Sequence, residues 1–370
     1  MLLLQLLFYI FIAIFVIQIA YYLAFLIGFA YKKVAQQSPK KIPISVIICA
    51  KNEAENLRSN IPLIAEQDYP NYEIVLVNDS SSDDSLEVMK TLKEQYSNIN
   101  IVDVKSIDRF WGNKKYALTL GIKAASNDFL LFTDADCKPA SSSWVSQMSS
   151  HFSNEKSIVL GYGAYEKKKL SLLNKLIRFE TLITALQYFS YAKLGMPYMG
   201  VGRNMAYRKE LFFNTGGYNN HLTIKSGDDD LFINEIATKA NTTICTDTTG
   251  FTLSEPKTSF KAWLTQKRRH ITTARHYKWK HKLLLALFYI SQISFWVTAI
   301  ILLSNLFLWK WIVALVVLRI ILYTVTIYNT SKKLDERDLV IWAPLLELFL
   351  IGFQFCIFIA NLISKPNHWK

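Results

Sequence analysis

The first thirty residues, MLLLQLLFYIFIAIFVIQIAYYLAFLIGFA, contain no charged side chain. A hydrocarbon core needs roughly 20 apolar residues in a helix, so this run can span a bilayer. It lacks the basic start and clear cleavage site of a signal peptide, and its apolar stretch is too long and uniform for one. Cysteine is scarce: Cys49, Cys137, Cys245 and Cys356 are the only four, and their spacing is unlike that of a metal site. They read as free thiols in a reducing cytoplasm, with Cys356 inside the membrane. Acidic residues are few as well, 29 against 42 lysines and arginines, which leaves a net charge of +13. No nucleic-acid motif or basic repeat accompanies that excess. The positive charges gather beside apolar runs, where they attract anionic lipid. Nucleic acid is therefore not an expected partner.

Three more apolar runs lie near the other end: Leu283 to Leu308, Trp311 to Tyr328, and Leu339 to Ile363 with the acid Glu347. Lysines and arginines in short flanks set orientation. YKKVAQQSPKK after the first run and SKKLDERD between the last two both read as cytoplasmic. The expected topology puts the N-terminus outside, residues 31–282 inside and the C-terminus outside, although the tail SKPNHWK carries two lysines.

Between the apolar runs, ISVIICA (Ile44 to Ala50) is nearly continuous in apolar, β-branched residues, as a strand buried on both faces reads. YEIVLVND, NIVDV and DFLLFTDAD repeat the pattern. Helix-like stretches alternate with them at Glu53 to Glu66, Ser85 to Tyr96 and Lys114 to Ala125, and Ser82 suggests a capped start for the second. Farther on, Leu170 to Leu194 reads as a long amphipathic, interfacial helix. Alternation of strand and helix implies a parallel sheet with helices on both faces. Ligands of such sheets bind at the carboxyl ends of the strands.

Asp79 ends one strand, and Asp134 and Asp136 end another, on the same sheet edge. Residues two apart on a strand share a face. An Asp-x-Asp pair leaving a strand can thus aim both carboxylates at one point. Two hard oxygen ligands suit Mg²⁺ or Mn²⁺, particularly one that also holds a diphosphate.

VIICAKNEAENL, VLVNDSSSDDS, GNKKYALTLG, LLFTDADCKP and SGDDDLF occur in that order, with QKRRH just before the membrane. The ordered set, over roughly residues 43 to 275, resembles the family 2 glycosyltransferases, inverting enzymes of the GT-A fold. The flanking spans look like those of its membrane-integrated bacterial members. The resemblance implies that Asp79 holds the nucleotide base and that Asp134 and Asp136 hold the metal on the donor diphosphate. It places Lys114 beside the nucleotide, with Asn113 and Thr119 departing from the family's Gly and Asn, and Glu53 near the donor pocket. The family's Glu-Asp-x-Asp-Leu motif, anchored on Leu231, makes Asp228 the catalytic base and puts Gly227 in the glutamate position. Anchoring on a Gly-Asp-Asp variant makes Asp229 the base. Three adjacent carboxylates repel one another, which raises at least one pKa.

QKRRH resembles the family's Gln-x-x-Arg-Trp motif, which in polymerising members helps hold the acceptor sugar and the diphosphate, so the resemblance makes Gln266 and Arg269 candidates for the donor diphosphate and the acceptor sugar, with His270 in place of Trp. The helix around it, with Phe260, Trp263, Leu264, Ile271 and Ala274 near one face, is expected to lie on lipid. GVGRNMAYRKELFFNTGGY resembles the family's acceptor side, with Arg203 and Asn204 as candidate contacts and Gly216–Gly217 in a tight turn.

The expected fold is α/β: a Rossmann-like GT-A catalytic domain with a mixed, mainly parallel sheet and N- and C-terminal transmembrane helices. The expected division is a span at 1–30, a cytoplasmic domain at 31–256, a basic interfacial helix at 257–282 and three spans at 283–370. The resemblance implies metal-dependent, inverting transfer of a sugar from a nucleotide sugar, UDP-sugar first, to a lipid or lipid-linked acceptor at the inner (cytoplasmic) membrane. A processive polysaccharide synthase is the alternative, but it needs a translocation channel and four spans leave little room for one. A catalytically silent scaffold is the alternative of another class, and it would not need every acidic position filled.

Overall fold

The uncharged start forms α1 (Leu2–Phe25), extended by a π-helical turn at Leu26–Ala30. This computed structural model describes residues 1–31, 38, 40–105, 114–224 and 226–363. Lys32–Lys33, Asn113 and the tail 364–370 lie outside the described residues. The apolar runs are strands at β1 (Ile44–Ala50), β2 (Tyr72–Asp79), β3 (Ile99–Val104) and β4 (Phe129–Asp134). Val46, Ile47 and Ile48 are fully buried, as strands covered on both faces require. Helices α2 (Ala54–Ala65), α3 (Ser85–Gln95) and α4 (Lys114–Ala124) connect them. The strands pair in parallel in the order β3-β2-β1-β4. Asp84 occupies the N-cap of α3 without a side-chain capping bond. Ser82 instead donates its N–H to Asn52 Oδ1 at 2.8 Å.

After β4 come β5 (Cys137–Pro139), α5 (Trp144–Ser150), β6 (Ile158–Leu160), β7 (Gly163–Tyr165), α6 (Leu172–Lys193), β8 (Met205–Arg208) and α7 (Lys209–Asn214). Then follow α8 (Asp230–Ile236), β9 (Thr242–Ile244), β10 (Thr252–Ser254) and α9 (Phe260–Ile271). β8 runs antiparallel to both β4 and β6, and β9 pairs in parallel with β6, so the seven-stranded sheet is mixed but mainly parallel. A second sheet orders β5-β10-β7. The register sets Cys49 beside Asp134 and Ala50 beside Asn78, so Asp79 and Asp134 leave the sheet at one edge.

The long helix α6 lies under the sheet domain, buried on most of its circumference between the sheet and the apolar helices. Tyr188 donates its hydroxyl to Gly161 O at 2.8 Å, while the Phe189 ring sits 5.1 Å from Phe29. α9 ends at Ile271 and gives way to a 3-10 turn, Thr272–His276, instead of continuing to residue 282. Of its apolar stripe, Trp263 is fully buried, stacked on Phe353 at 4.3 Å, while Phe260 and Ile271 stay exposed.

Among the described residues, four helical segments are long and apolar enough to cross a membrane: Leu2–Ala30, Trp279–Ser304, Trp309–Lys333 and Arg337–Ile363. The last three contain α10 (Trp279–Ser304), α11 (Trp309–Lys333) and α12 (Ala343–Ile363). They enclose polar groups. Arg319 donates to Glu347 Oε2 at 2.6 Å, to Gln18 Oε1 at 3.0 Å and to the Tyr22 hydroxyl at 2.9 Å, all of it buried. At the connection between α11 and α12, Arg178 of α6 bonds Glu336 and Asp338. That connection therefore lies on the same side as the sheet domain.

Candidate active site

The first turn of α4 aims Lys114 across the carboxyl edge of the sheet. Its Nζ lies 2.8 Å from Asp134 Oδ1 and 3.2 Å from Asp228 Oδ2. Burial alone would lower the Lys114 pKa, but the two carboxylates outweigh it and raise it well above the usual value. Burial would likewise raise Asp134, yet Lys114 holds it below the carboxylate range. For Asp136, burial followed by the charge of Asp134 outweighs the nearby Arg203 and pushes it up.

Asp134, Asp136 and Cys137 bring their ligand atoms within 4.8 Å of one another. The two carboxylates are the hard oxygen ligands that Mg²⁺ or Mn²⁺ requires. Cys137 does not fit that set. Its buried thiol is pushed far up in pKa, lies 3.0 Å from Ser254 Oγ, and points its S–H at Asp136 Oδ1, 3.4 Å away. Lys114 already supplies positive charge at Asp134, which fits a place where a cation is wanted.

The three adjacent aspartates divide their tasks. Asp230 is buried, and its Oδ2 accepts the hydroxyls of Thr273 and Tyr277, the latter at 2.7 Å. Asp229 caps α8: Oδ1 accepts the Asp230 N–H and Oδ2 the Gly202 N–H, each at 2.7 Å. Burial, then the charges of Asp228 and Asp230, push Asp229 up to about 7. Asp228 precedes the cap, and its carboxylate turns to Lys114. Gly227 adopts φ +89°, and a Cβ there would sit 2.5 Å from Leu231 Cδ1. The glutamate of the related motif has no room in this backbone.

Lys115, next along α4, is buried and donates to three backbone carbonyls: His221 at 2.7 Å, Ile224 at 2.9 Å and Ser226 at 2.9 Å. It holds the segment that leads into Asp228. Neither this clamp nor the Thr273–Tyr277 anchor was found from sequence. The tandem lysines were visible, but nothing in their spacing says that one faces carboxylates and the other carbonyls.

Of the candidate donor, metal, base and acceptor residues, all except Asn204 line one cleft of about 580 Å³. Asp79 is buried at the end of β2, which raises its carboxyl pKa. Glu53 caps α2 and accepts the Asn56 amide at 2.5 Å. Arg203 lies over the Tyr165 ring at 4.3 Å and donates to Ser254 Oγ at 3.1 Å, on the Asp136 side of the cleft. Asn204 is a correction. It is fully buried, donates to the Tyr162 and Gly250 carbonyls and accepts the Trp144 N–H at 3.0 Å, so it braces the framework beneath the cleft. Gln266 and Arg269 reach the cleft from α9, where Lys267 pairs with Glu180 of α6. Gly216 and Gly217 both take positive φ in the expected turn. The four cysteines are free, and Cys356 is exposed on α12.

A family model described as Glycosyl transferase family 2 matches residues 45–214. It stops short of Asp228 and of α9. Poly-beta-1,6-N-acetyl-D-glucosamine synthase of Staphylococcus epidermidis is 32% identical over 93 residues, 25% of this chain and 21% of that protein. A cholesterol galactosyltransferase of Borreliella burgdorferi is 32% identical over 96 residues, 26% of this chain and 25% of that one. The chain thus matches about a quarter of the length of these curated relatives. The fold is matched by the mannosyltransferase PcManGT from Pyrobaculum calidifontis, solved in complex with GDP-Man and Mn²⁺, with a TM-score of 0.59 and 18% identity over 93% of this chain and 99% of that one.

Proposed function

We propose that this chain, whose residues 45–214 match the Glycosyl transferase family 2 model and whose fold matches a solved mannosyltransferase, catalyses inverting transfer of a sugar from a nucleotide-diphosphate sugar to a lipid or lipid-linked acceptor. One observation carries the reading. Lys114 brings Asp134, on the donor edge, and Asp228, from the far wall, to a single ammonium. A leaving diphosphate and an attacking hydroxyl would meet there. Asp79 would hold the nucleotide base, with Glu53, Gln266 and Arg269 around the rest of the donor. Asp134 and Asp136 would hold a divalent ion, whose Lewis acidity neutralises the leaving group. The solved PcManGT complex contains Mn²⁺ and GDP-Man. That supports a divalent ion here and leaves UDP and GDP both to be tested.

Asp228 is the proposed base. Of the three aspartates, Asp230 is committed to two hydroxyls and Asp229 to two backbone N–H groups. Asp228 would take the proton of the acceptor hydroxyl as its oxygen bonds the anomeric carbon. The bond from that carbon to the diphosphate oxygen breaks on the opposite face, which inverts the centre. A second reading makes Asp229 the base, because a pKa of about 7 matches the working range of one.

The cleft reaches α10 and α12 through Leu285, Phe353 and Ile357, which supports an acceptor arriving from the membrane. The relative named for cholesterol as acceptor is consistent with that class, while the relative named as a polysaccharide synthase keeps a processive reaction in view. We place the sheet domain on the cytoplasmic side of the inner membrane, where nucleotide sugars are made.

The test is nucleotide release by the detergent-purified protein from a panel of UDP- and GDP-sugars, with Mg²⁺ and with Mn²⁺. Asp228→Asn is expected to bind donor and to lose turnover by about 10²–10⁴-fold. That loss in Asp229→Asn, with Asp228→Asn active, moves the base. If no donor is turned over, the scaffold reading replaces the enzyme.

A further inference from the structure

Leu170, in the loop between β7 and α6, takes a left-handed backbone at φ +57° and is fully exposed. A bulky residue rarely holds that conformation, and no packing within the fold offsets its strain. Leu306 combines the same features at φ +51° in the turn between α10 and α11, two helices long and apolar enough to cross a membrane. Two contacts fasten the Leu170 loop to the same kind of boundary. Lys167 pairs at 2.8 Å with Asp335, in the connection between α11 and α12. Lys175, in the first turn of α6, lies over the Trp342 ring at 4.3 Å, near the start of the last span. Leu172 stands three positions before Lys175 and so shares its side of α6. Leu172, Ile341 and Leu345 are exposed like Leu170, so apolar side chains from two segments crowd one surface. A tryptophan at the entry to a span and lysine stems along apolar side chains suit the zone where acyl chains meet head groups.

Charge indicates which lipid. From position 166 to 175, four lysines stand against one acid. The carboxylates nearby are engaged: Glu166 by Lys138 and Lys168, Asp335 by Lys167, and Glu336 and Asp338 by Arg178. Glu255 stands 4.0 Å from Lys168. Among the described residues, no carboxylate pairs with Lys169, Lys175 or Lys332. Three ammonium groups beside an exposed apolar patch complement phosphates that carry net negative charge.

We propose that the loop at 166–171 and the start of the last span form one surface that inserts beside the spans, with Leu170 and Leu172 among acyl chains and Lys169, Lys175 and Lys332 on the phosphates of anionic phospholipid. The leaflet is the one that faces the sheet domain. β7, whose Gly163 and Tyr165 line the cleft, runs directly into this loop, so the lipid bears on one wall of the cleft. The inference stands on the spans and needs neither donor nor turnover.

The full chain, in a cysteine-free background with Leu170→Cys, carries an environment-sensitive dye at that position. It is placed in nanodiscs of phosphatidylcholine with or without phosphatidylglycerol. Lipids bearing a spin label high on the acyl chain serve as quenchers. Quenching at 170 is expected to be about twofold or more stronger with phosphatidylglycerol, with emission moved to shorter wavelength, and high salt is expected to weaken the difference. Lys169→Glu combined with Lys175→Glu is expected to abolish it, and thermal unfolding reports the fold of that variant. Dye at Leu318, exposed midway along α11, is expected to be quenched in both discs, so failure of the span reading is told apart from failure at the loop. A dye at 170 that stays in water in both discs, or equal quenching with and without phosphatidylglycerol, overturns the proposal. So does an unchanged lipid preference in the folded double variant. Shielding that follows the number of chains per disc instead of the anionic lipid assigns the surface to a second copy and overturns it as well.

Discussion

At position 227 a glycine stands where the related motif carries glutamate. The backbone there has φ +89°, and a side chain would strike Leu231, which is itself buried. Restoring the motif with Gly227→Glu is therefore expected to be harmful. Left-handed strain and overpacking each cost about 1–3 kcal/mol. Thermal unfolding is expected to show a loss of about 2 kcal/mol or more, together with lost turnover. A Gly227→Glu protein with ordinary stability would refute this account of the substitution. Asp136 tests another side of the cleft. Asp136→Ala is expected to abolish metal-dependent donor binding, measured by calorimetry with and without a chelator. Unchanged metal dependence would remove Asp136 from the ion's ligands. The role of Asp230 could not be read from the sequence. Its partners, Thr273 and Tyr277, lie more than forty positions away, and only folding joins them.

The first turn of α4 couples two walls of the cleft. Successive helix residues diverge by about 100°, so Lys114 points to the carboxylates and Lys115 to the loop carbonyls. Lys115→Met keeps much of the apolar stem and deletes the charged donor. Bonds to a charged group contribute about 1.5–3 kcal/mol each, so stability is expected to fall by at least one such bond. Turnover is expected to fall more than donor affinity, because the loop positions Asp228. An equal loss in kcat and donor affinity would point to general unfolding instead. The central strands were legible because β-branched apolar runs buried on both faces have few other solutions, and β1 and β2 begin and end at the residues read from sequence. The three-residue strands β5, β6, β7, β9 and β10 are too short to leave a period. For α9 an apolar face announces burial but not its partner: Trp263 stacks on Phe353, ninety positions on in the chain, while Phe260 and Ile271 stay exposed.

Across the whole molecule, the ion pairs from Arg178 to the α11–α12 connection tie that turn to the sheet domain. Any cell that exposes one to the outside exposes both. Single cysteines at Ser82 and Arg337, both exposed positions, in a cysteine-free background test the absolute side. An impermeant thiol reagent is expected to label neither in intact cells and both after the membrane is opened. Labelling at 82 in intact cells would overturn the cytoplasmic assignment. Labelling at only one of the two would break the packing described above. The polar cluster among the spans also has a history written in chain order. Gln18 and Tyr22 are made first, and 301 residues separate Gln18 from Arg319. At about 5–20 residues per second, α1 waits roughly 15–60 s for that partner. It waits with neutral side chains only, so it can insert alone. Arg319 and Glu347 stand only 28 residues apart, on two helices joined by a short connection, and a few seconds of synthesis separate them. The two charges can thus enter the bilayer as a neutral pair, and neither has to cross it unaccompanied.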